Sequence, residues 1–574
     1  MKAPCESVLR CYLYAAWIFT AIVPCLVNAQ QPGFVMPRSA EPDVRLDQLP
    51  PTIPDKPVTE IEVMESAPSR APAGADKVRF LLNDLIIEGV TVYPDDVIAS
   101  YYADLLGTEV SLADIYDVAA NIQLHYRQDD YFLTRVILPA QKGQNGQLHI
   151  RVFEGYISDV LIEGEIGPVQ QRVSAYLENL PQVKPLKLKT LERYLLLSRD
   201  IPGVDVNGVL RPSPDELGAA QLVATVERKS LDALAVVDNI GSTFTEEWEA
   251  AVSVSSNSFS SLGERVTFTG LVSDPTHAFS GGRDNQKVAQ LNASFLLGSN
   301  GMYSNFLASY GDSNPGDDIS QFDFESKKLL LSGLAGYPFI RTRNLNLSGD
   351  LGFDYINSDT DIFNNTKFAR DRLRVLHIDG ELDFRDKWRG STFITASIRH
   401  GLSIFNASES GDNYLSVPDG EPEFTSIRAS ASRMQPLFGD FALFAITAGQ
   451  YAFDTLLSDE QFGVGGIRFG RGYNPEEISR DHGIGFTGEL QYTRLSEIPY
   501  LERFQFFGFY DVGKAWYDKG DDSDSLSSAG GGARLWLAQN VSVELQVAKP
   551  LTRDSERDDG DRDPQILFRT IARF

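Results

Sequence analysis

Residues 483–493 read GIGFTGELQYT, and the alternation in that stretch decides what the chain builds. Ile484, Phe486, Leu490 and Tyr492 fall on one side of an extended strand, with Thr487, Glu489 and Gln491 on the other. Successive side chains of a strand point to opposite faces, so this strand has one greasy and one wet side. The same division recurs on both sides of it. In LNLSGDLGFDYIN (345–357), Leu345, Leu347, Leu351, Phe353 and Tyr355 oppose Asn346, Ser348, Asp350 and Asp354. In VSVELQVAK (541–549), Val541, Val543, Leu545 and Val547 oppose Ser542, Glu544 and Gln546. The final QILFRTIARF (565–574) sets Phe568 and Phe574 against Arg569 and Arg573.

Beyond Lys229 no helical periodicity remains. A soluble sandwich would also alternate, but acidic and hydroxylated faces would not run through strand after strand. Polar stretches at 311–318, 357–371, 406–423 and 518–525 read as long loops on one side, with short turns on the other. Long loops, short turns and apolar-out alternation together describe a membrane β-barrel. Residues 230–574 hold about sixteen antiparallel strands, an even number as single-chain bacterial barrels require. The terminal Phe574 closes the last of them as a barrel signature.

The rest of the chain is consistent with export. Lys2 and Arg10 precede an apolar run from Tyr12 to Val27, and Ala29 follows, so residues 1–29 read as a signal peptide. Cys5, Cys11 and Cys25 all lie there, which leaves the predicted mature chain without disulfide, thiol or Cys-based metal chemistry. No later stretch offers the roughly 18 uninterrupted apolar residues of a membrane helix. Any membrane crossing must therefore use strands. The net charge of −27 argues against a nucleic-acid partner.

Residues 30–77 carry prolines from Pro32 to Pro72 among acids and small residues, the composition of an extended linker. From Val78 the texture changes. VRFLLNDLIIEGV reads as strand. PDDVIASYYADLLG and SLADIYDVAANIQLHYRQ read as helices capped by Asp95 and Ser111, and YFLTRVILPA and GQLHIRVFEG as two more strands. This β-α-α-β-β order recurs over 156–229, with LIIEGV and VLIEGE marking the same first strand about 75 residues apart. A long period used twice indicates a tandem domain, each unit a small sheet with helices on one face.

One loop breaks the barrel pattern. RFGRGYNPEE (468–477) lies between a strand around Phe441–Phe453 and the one beginning near Gly483. Its glycines permit close approach to a wall. Tucked into the lumen, Arg471 would need a partner. Asp511, which shares a face with Phe507 and Phe509, is the candidate for a bidentate pair, and Gly513 leaves room for the loop. An arginine left in solvent is the plainer alternative.

Two β-α-α-β-β units before such a barrel resemble the POTRA–barrel superfamily of outer-membrane assembly and secretion proteins. Gly470, Arg471, Gly472 and Tyr473 resemble its loop-six motif, V-R-G-[FY]. Phe509, Asp511 and Gly513 resemble its partnering F-x-D-x-G strand. Two units after a Pro-rich leader resemble the two-partner secretion transporters of the haemolysin secretion/activation branch. That resemblance implies signal peptide 1–29, linker or plug 30–77, POTRA units 78–155 and 156–229, and barrel 230–574. It also implies a bacterial outer-membrane location with the POTRA units in the periplasm. The expected activity is export of an unfolded secreted exoprotein. Expected partners are outer-membrane lipid, periplasmic chaperones and the barrel-assembly machinery. Strands at 148–153 and 222–227 are candidate edges for capturing the exoprotein.

Two departures stand out. Gly470 replaces the usual valine, which removes an apolar packing contact. Residues 30–50 show no helical stripe of the kind a pore-plugging helix needs.

Other chemistries lack their signatures. The histidines at 125, 149, 277, 377, 400 and 482 have no metal-ligand spacing, and no G-x-S-x-G or phosphate loop occurs. The reading is a non-enzyme with no catalytic residue, metal or cofactor. An insertase of the same superfamily would carry more POTRA units. A passive porin would have neither the tandem units nor the motif pair.

Overall fold

Sixteen antiparallel strands close into a barrel in the computed structural model of the chain. The structure describes residues 36–42 and 71–574 apart from short gaps at 142–144, 217, 277–284, 364, 520–521, 538–539 and 559–560. The expected signal peptide and most of the Pro-rich leader lie outside the described residues.

Numbered along the chain, β1 to β8 belong to the region before the barrel. The barrel begins with β9 (Leu231–Asp238), β10 (Glu249–Asn257), β11 (Arg265–Ser273), β12 (Asn285–Leu297) and β13 (Met302–Asn314). It continues with β14 (Glu325–Arg341), β15 (Leu345–Ile362), β16 (Thr366–Arg385), β17 (Ser391–Gly401), β18 (Thr425–Pro436) and β19 (Phe441–Ala452). After the short β20 (Phe462–Val464) and β21 (Ile478–Arg480) of the intervening loop come β22 (His482–Leu495), β23 (Leu501–Trp516), β24 (Ser523–Leu537), β25 (Val541–Pro550) and β26 (Gln565–Arg573). β26 pairs back onto β9, from Arg569 opposite Asp238 to Arg573 opposite Leu234. Phe574 extends that seam by exchanging backbone hydrogen bonds with Ala233.

Alternation sorts the two faces. Phe306, Leu351, Ile378, Phe486, Leu490, Phe506, Tyr510 and Leu545 are exposed on the outside, which suits a lipid-facing wall. No helix among the described residues is long and apolar enough to cross a membrane. The stretch 357–371 differs from the long loop expected of it. β15 and β16 run through it with 18 and 20 residues, well past the roughly 9–11 that a tilted strand needs to cross a bilayer. This hairpin rises beyond the hydrocarbon, so most of its residues are polar and it reads as loop, while Ile362 and Phe368 pack beside Phe324 at the barrel mouth.

The first unit before the barrel holds β2 (Asp84–Glu88), β4 (Arg135–Ile137) and β5 (Gln147–Phe153) in the order β2-β5-β4. The helix Leu112–Gln128 covers this sheet through Ile115, Ile122 and Tyr126. Ser111 and Asp114 form a capping box at its start, satisfying otherwise orphaned backbone donors. Asp95 is the first residue of the short helix Asp95–Ala99 and makes no side-chain cap. The stretch 78–90, expected as strand, divides into β1 (Arg79–Leu81) and β2, and β1 pairs outside this sheet with β3 (Glu109–Ser111), whose three residues were not legible in the pattern. The second unit follows the expected order with β6 (Tyr156–Glu163), helices Gln170–Leu177 and Leu188–Arg199, β7 (Val204–Pro212) and β8 (Ala219–Arg228).

The candidate capture edges are not edges. β5 lies between β2 and β4, and β8 between β6 and β7. Both strands are rich in apolar residues, and a small sheet places such strands at its centre, paired on both sides.

The second unit is fastened to the short-turn end of the barrel. Arg341 grips Asp200 with two bonds of 2.6 and 2.7 Å, and Arg343 meets Glu192 at 2.6 Å. Arg193 donates to the carbonyls of Asn300 and Pro338, each at 2.9 Å. A cavity of about 420 Å³ lies at this junction, lined by Tyr176, Leu197, Leu296, Tyr303, Glu381 and Phe393 among others.

Residues 36–42 sit at the opposite end. Met36 and Ala40 pack with Phe244, Ile319 and Phe324 of the loops there. Ser313 at the end of β13 donates to the Ala40 carbonyl at 2.7 Å. Their only regular element is the single turn Arg38–Ala40.

Candidate functional site: loop six inside the lumen

The connection 453–481 folds inward between β19 and β22. A miniature hairpin of β20 (Phe462–Val464) and β21 (Ile478–Arg480) stiffens it, and between them the turn Gly466–Phe469 leads into Gly470. Val464, Phe469, Tyr473 and Ile478 bury themselves against Ala515 and Leu526 of the wall. Tyr473 is fully buried, its hydroxyl 3.2 Å from the carbonyls of both Ser527 and Arg553.

Missing side chains make this approach possible. A β-carbon on Gly513 would lie 2.0 Å from Cγ1 of Val464, and one on Gly472 would lie 2.9 Å from the backbone nitrogen of Pro550. At Gly470 the space a valine would need is taken by Leu526, 2.5 Å from the ideal β-carbon position. The wall supplies an apolar contact there. Gly513→Val should therefore lift the loop from β23 while leaving the barrel closed. Overpacking of this kind costs about 1–3 kcal/mol. Faster protease cleavage within 453–481 in intact outer membranes is the expected result, and a wild-type cleavage rate would count against this packing.

Arg471 is 6% exposed. Its Nη1 donates to Oε2 of Glu489 at 3.0 Å, and its backbone N–H to Oδ2 of Asp511 at 3.1 Å. The guanidinium reaches Asp511 only through Nε, at 3.6 Å. The structure thus brings Arg471 and Asp511 together, but not as a bidentate pair. One Asp511 oxygen is taken up by the loop backbone and by Ser528 Oγ at 3.1 Å. Glu489, on the neighbouring strand, takes the charge. Arg534 completes the set, meeting Glu489 at 2.6 Å and Glu544 at 2.6 Å. Both cations lie over aromatic faces, Arg471 3.9 Å from the Phe509 centroid and Arg534 4.0 Å from that of Phe507. Such stacking favours a desolvated guanidinium. Glu489 was visible in the alternation as a lumen residue, but nothing local in the sequence ties it to Arg471.

The loop holds a second set of charges that sequence reading missed. Glu460 is 1% exposed. It accepts from Arg399 Nε and Nη2, both at 2.9 Å, and from Arg428 Nη2 at 2.7 Å. Burial pushes the Glu460 carboxyl up, and the two arginines more than offset it, so the group stays below its ordinary value. Asp459 beside it pairs with Lys328 at 2.6 Å. These partners come from three different wall strands, β14, β17 and β18, and no spacing in the sequence relates them.

Residues 220–535 match the family described as haemolysin secretion/activation protein ShlB/FhaC/HecB, more than half of the chain. The chain belongs to this family. Residues 80–155 separately match the ShlB-type POTRA domain. The heme/hemopexin transporter protein HuxB of Haemophilus influenzae is 24% identical over 472 residues, covering 79% of this chain and 80% of that protein. The solved structure of CdiB from Escherichia coli shares the fold at a TM-score of 0.72 and 18% identity, covering 88% of this chain and 92% of that one. CdiB from Acinetobacter baumannii does so at 0.62 and 15%, with both chains covered in full. The protein is an outer-membrane transporter of the two-partner secretion type, not an enzyme, with POTRA structure on the periplasmic side. That orientation places the second unit and its cavity at the periplasmic mouth, and loop six and residues 36–42 at the outer one.

Proposed function

We propose that this transporter captures an unfolded exoprotein in the periplasm by strand addition and passes it through the lumen past loop six. Residues 78–155 and 156–229 serve as two successive POTRA units, the second feeding the pore. The observation that carries the reading is the second unit's position. It is fastened by Arg341–Asp200 and Arg343–Glu192 to the periplasmic turns, while β6 pairs on one side only, with β8. An unpaired edge offers backbone donors and acceptors to an extended chain irrespective of its sequence. Passage as an extended chain follows from a lumen that loop six and residues 36–42 of the leader already occupy. Periplasmic chaperones would keep the exoprotein unfolded beforehand, and the barrel-assembly machinery would insert the transporter itself. Folding outside makes the movement favourable in one direction without nucleotide.

A photo-crosslinking residue at Leu161, half-exposed on β6, should yield an adduct with the exported polypeptide during secretion. The same residue at Leu222, buried in β8, should not. Active secretion with no adduct at Leu161 or its β6 neighbours would refute edge capture.

A further inference from the structure

On the outward face of the β15–β16 hairpin the wall changes character over successive cross-strand pairs. Leu351 stands opposite Ile378, Phe353 opposite Leu376, Tyr355 opposite Arg374 and Asn357 opposite Arg372. The first two pairs continue the lipid-facing surface, the last is polar, and the third lies at the boundary. A guanidinium at that level needs partners wherever water is scarce. Arg374 meets neither lipid nor water, for it is 1% exposed.

The turn after β17 covers it. Leu402 and Ser408 donate backbone hydrogen bonds to the carbonyls of Arg374 and Arg372, at 2.8 and 2.9 Å. These contacts lie six residues apart on the loop and two apart on β16, so residues 403–407 have to bulge off the wall. The Ala407 N–H donates to the Ile404 carbonyl at 3.0 Å and closes the bulge as a turn. Its central residues Phe405 and Asn406 both have left-handed backbone, with φ 49° and 60°. Asparagine tolerates that conformation, whereas a bulky phenylalanine is strained in it. Arg374 holds the turn from beneath. Its Nε donates to the Phe405 carbonyl at 3.2 Å and its Nη2 to Oδ1 of Asn357 at 3.1 Å. Nη1 donates to the carbonyls of Ile356 and Leu373, and the guanidinium stacks 3.5 Å from the Tyr355 centroid.

What this strained, clamped turn presents is an apolar tip. Phe405 is 70% exposed, and Ile404 beside it is exposed as well. Phe405 meets Phe353 edge-on, with ring centroids 6.3 Å apart. The tip therefore prolongs the lipid-facing row of Leu351 and Phe353, away from the polar mouth. Exposed apolar groups continuous with such a wall, and an aromatic ring at its upper limit, fit a lipid surface. We propose that residues 403–407 form a foot that rests in the outer leaflet, with Ile404 and Phe405 among lipid acyl chains and Arg374 as the clamp that sets it there. The foot ties the 402–424 loop, and the polar hairpin on which that loop pairs, to the membrane surface.

All three cysteines lie in the expected signal peptide, so a cysteine placed in the barrel can be labelled alone. The test carries an environment-sensitive fluorophore on Phe405→Cys or Ile404→Cys of the whole transporter in phosphatidylcholine nanodiscs. Leu351→Cys on the lipid-facing wall and Asn413→Cys, at an exposed position of the same loop, are the references. Lipid with a nitroxide on its acyl chain should quench the labels at Ile404 and Phe405 at least roughly half as strongly as the one at Leu351. Aqueous iodide should quench them roughly fivefold less than the one at Asn413. Adding Arg374→Gln should cut the lipid quenching at Ile404 by about half or more. Labels that iodide quenches as it does at Asn413 would overturn the foot. So would labels shielded from both quenchers, since protein and not lipid would then cover the turn. Lipid quenching unchanged by Arg374→Gln would overturn the clamp. Ile404→Cys leaves Phe405 in place, so the result stands even where replacing the phenylalanine itself shifts the turn.

Discussion

Arg471→Ala is expected to leave a closed, inserted barrel that secretes poorly and conducts unsteadily. The substitution removes the guanidinium from Glu489 and from beside Asp511, a carboxylate with no exposed surface. Breaking a buried pair by deleting one partner costs about 3–5 kcal/mol because it strands the other charge. Arg534 still satisfies Glu489, so the lower end of that range applies. About 3 kcal/mol corresponds to a roughly hundredfold loss in the docked fraction of the loop. The barrel's own ladder does not depend on it, and heat-modifiable mobility on electrophoresis should be unchanged. Arg471→Lys should rescue only in part, since a point charge replaces the planar fork stacked on Phe509. The exchange Arg471→Asp with Asp511→Arg, and the alternative exchange Arg471→Glu with Glu489→Arg, separate the partners. The geometry favours recovery in the second. Wild-type secretion in each single charge reversal would show the loop arginine to be an ordinary surface charge.

Deleting residues 78–229 should abolish secretion outright while leaving a heat-modifiable barrel in the outer membrane. β9 begins at Leu231 and closes with β26 through residues the deletion does not touch. What the barrel loses is the junction, whose ion pairs Arg341–Asp200 and Arg343–Glu192 are partly exposed and so contribute little to its stability. What the transport route loses is every sheet edge before the lumen. Normal export by the truncated protein, measured as exoprotein in the medium, would remove the capture role from both POTRA units.

Much of this was legible before any coordinates. Strand parity placed Glu489, Asp511, Phe507 and Phe509 on the inner wall, and the structure has them there. Parity is local, and a period of two survives any arrangement of the strands. Helix periodicity likewise marked the two tandem units, since a packed helix must show its apolar stripe. Local reading failed where strands are short or extended. β3 is too brief to show a period, and the hairpin 357–371 is mostly polar because it stands clear of the lipid.

By itself the sequence determined the barrel, its even strand number, the tandem units ahead of it and the loop that carries Arg471. Each follows from periodicity or turn chemistry within a few tens of residues. Only the tertiary structure decided that Arg471 hands its charge to Glu489, that β5 and β8 lie inside their sheets, and that Glu460 gathers cations from β17 and β18. The physical reason is range. Alternation and capping are written between neighbours, whereas an ion pair across a lumen depends on barrel closure, which brings together residues such as Arg399 and Glu460.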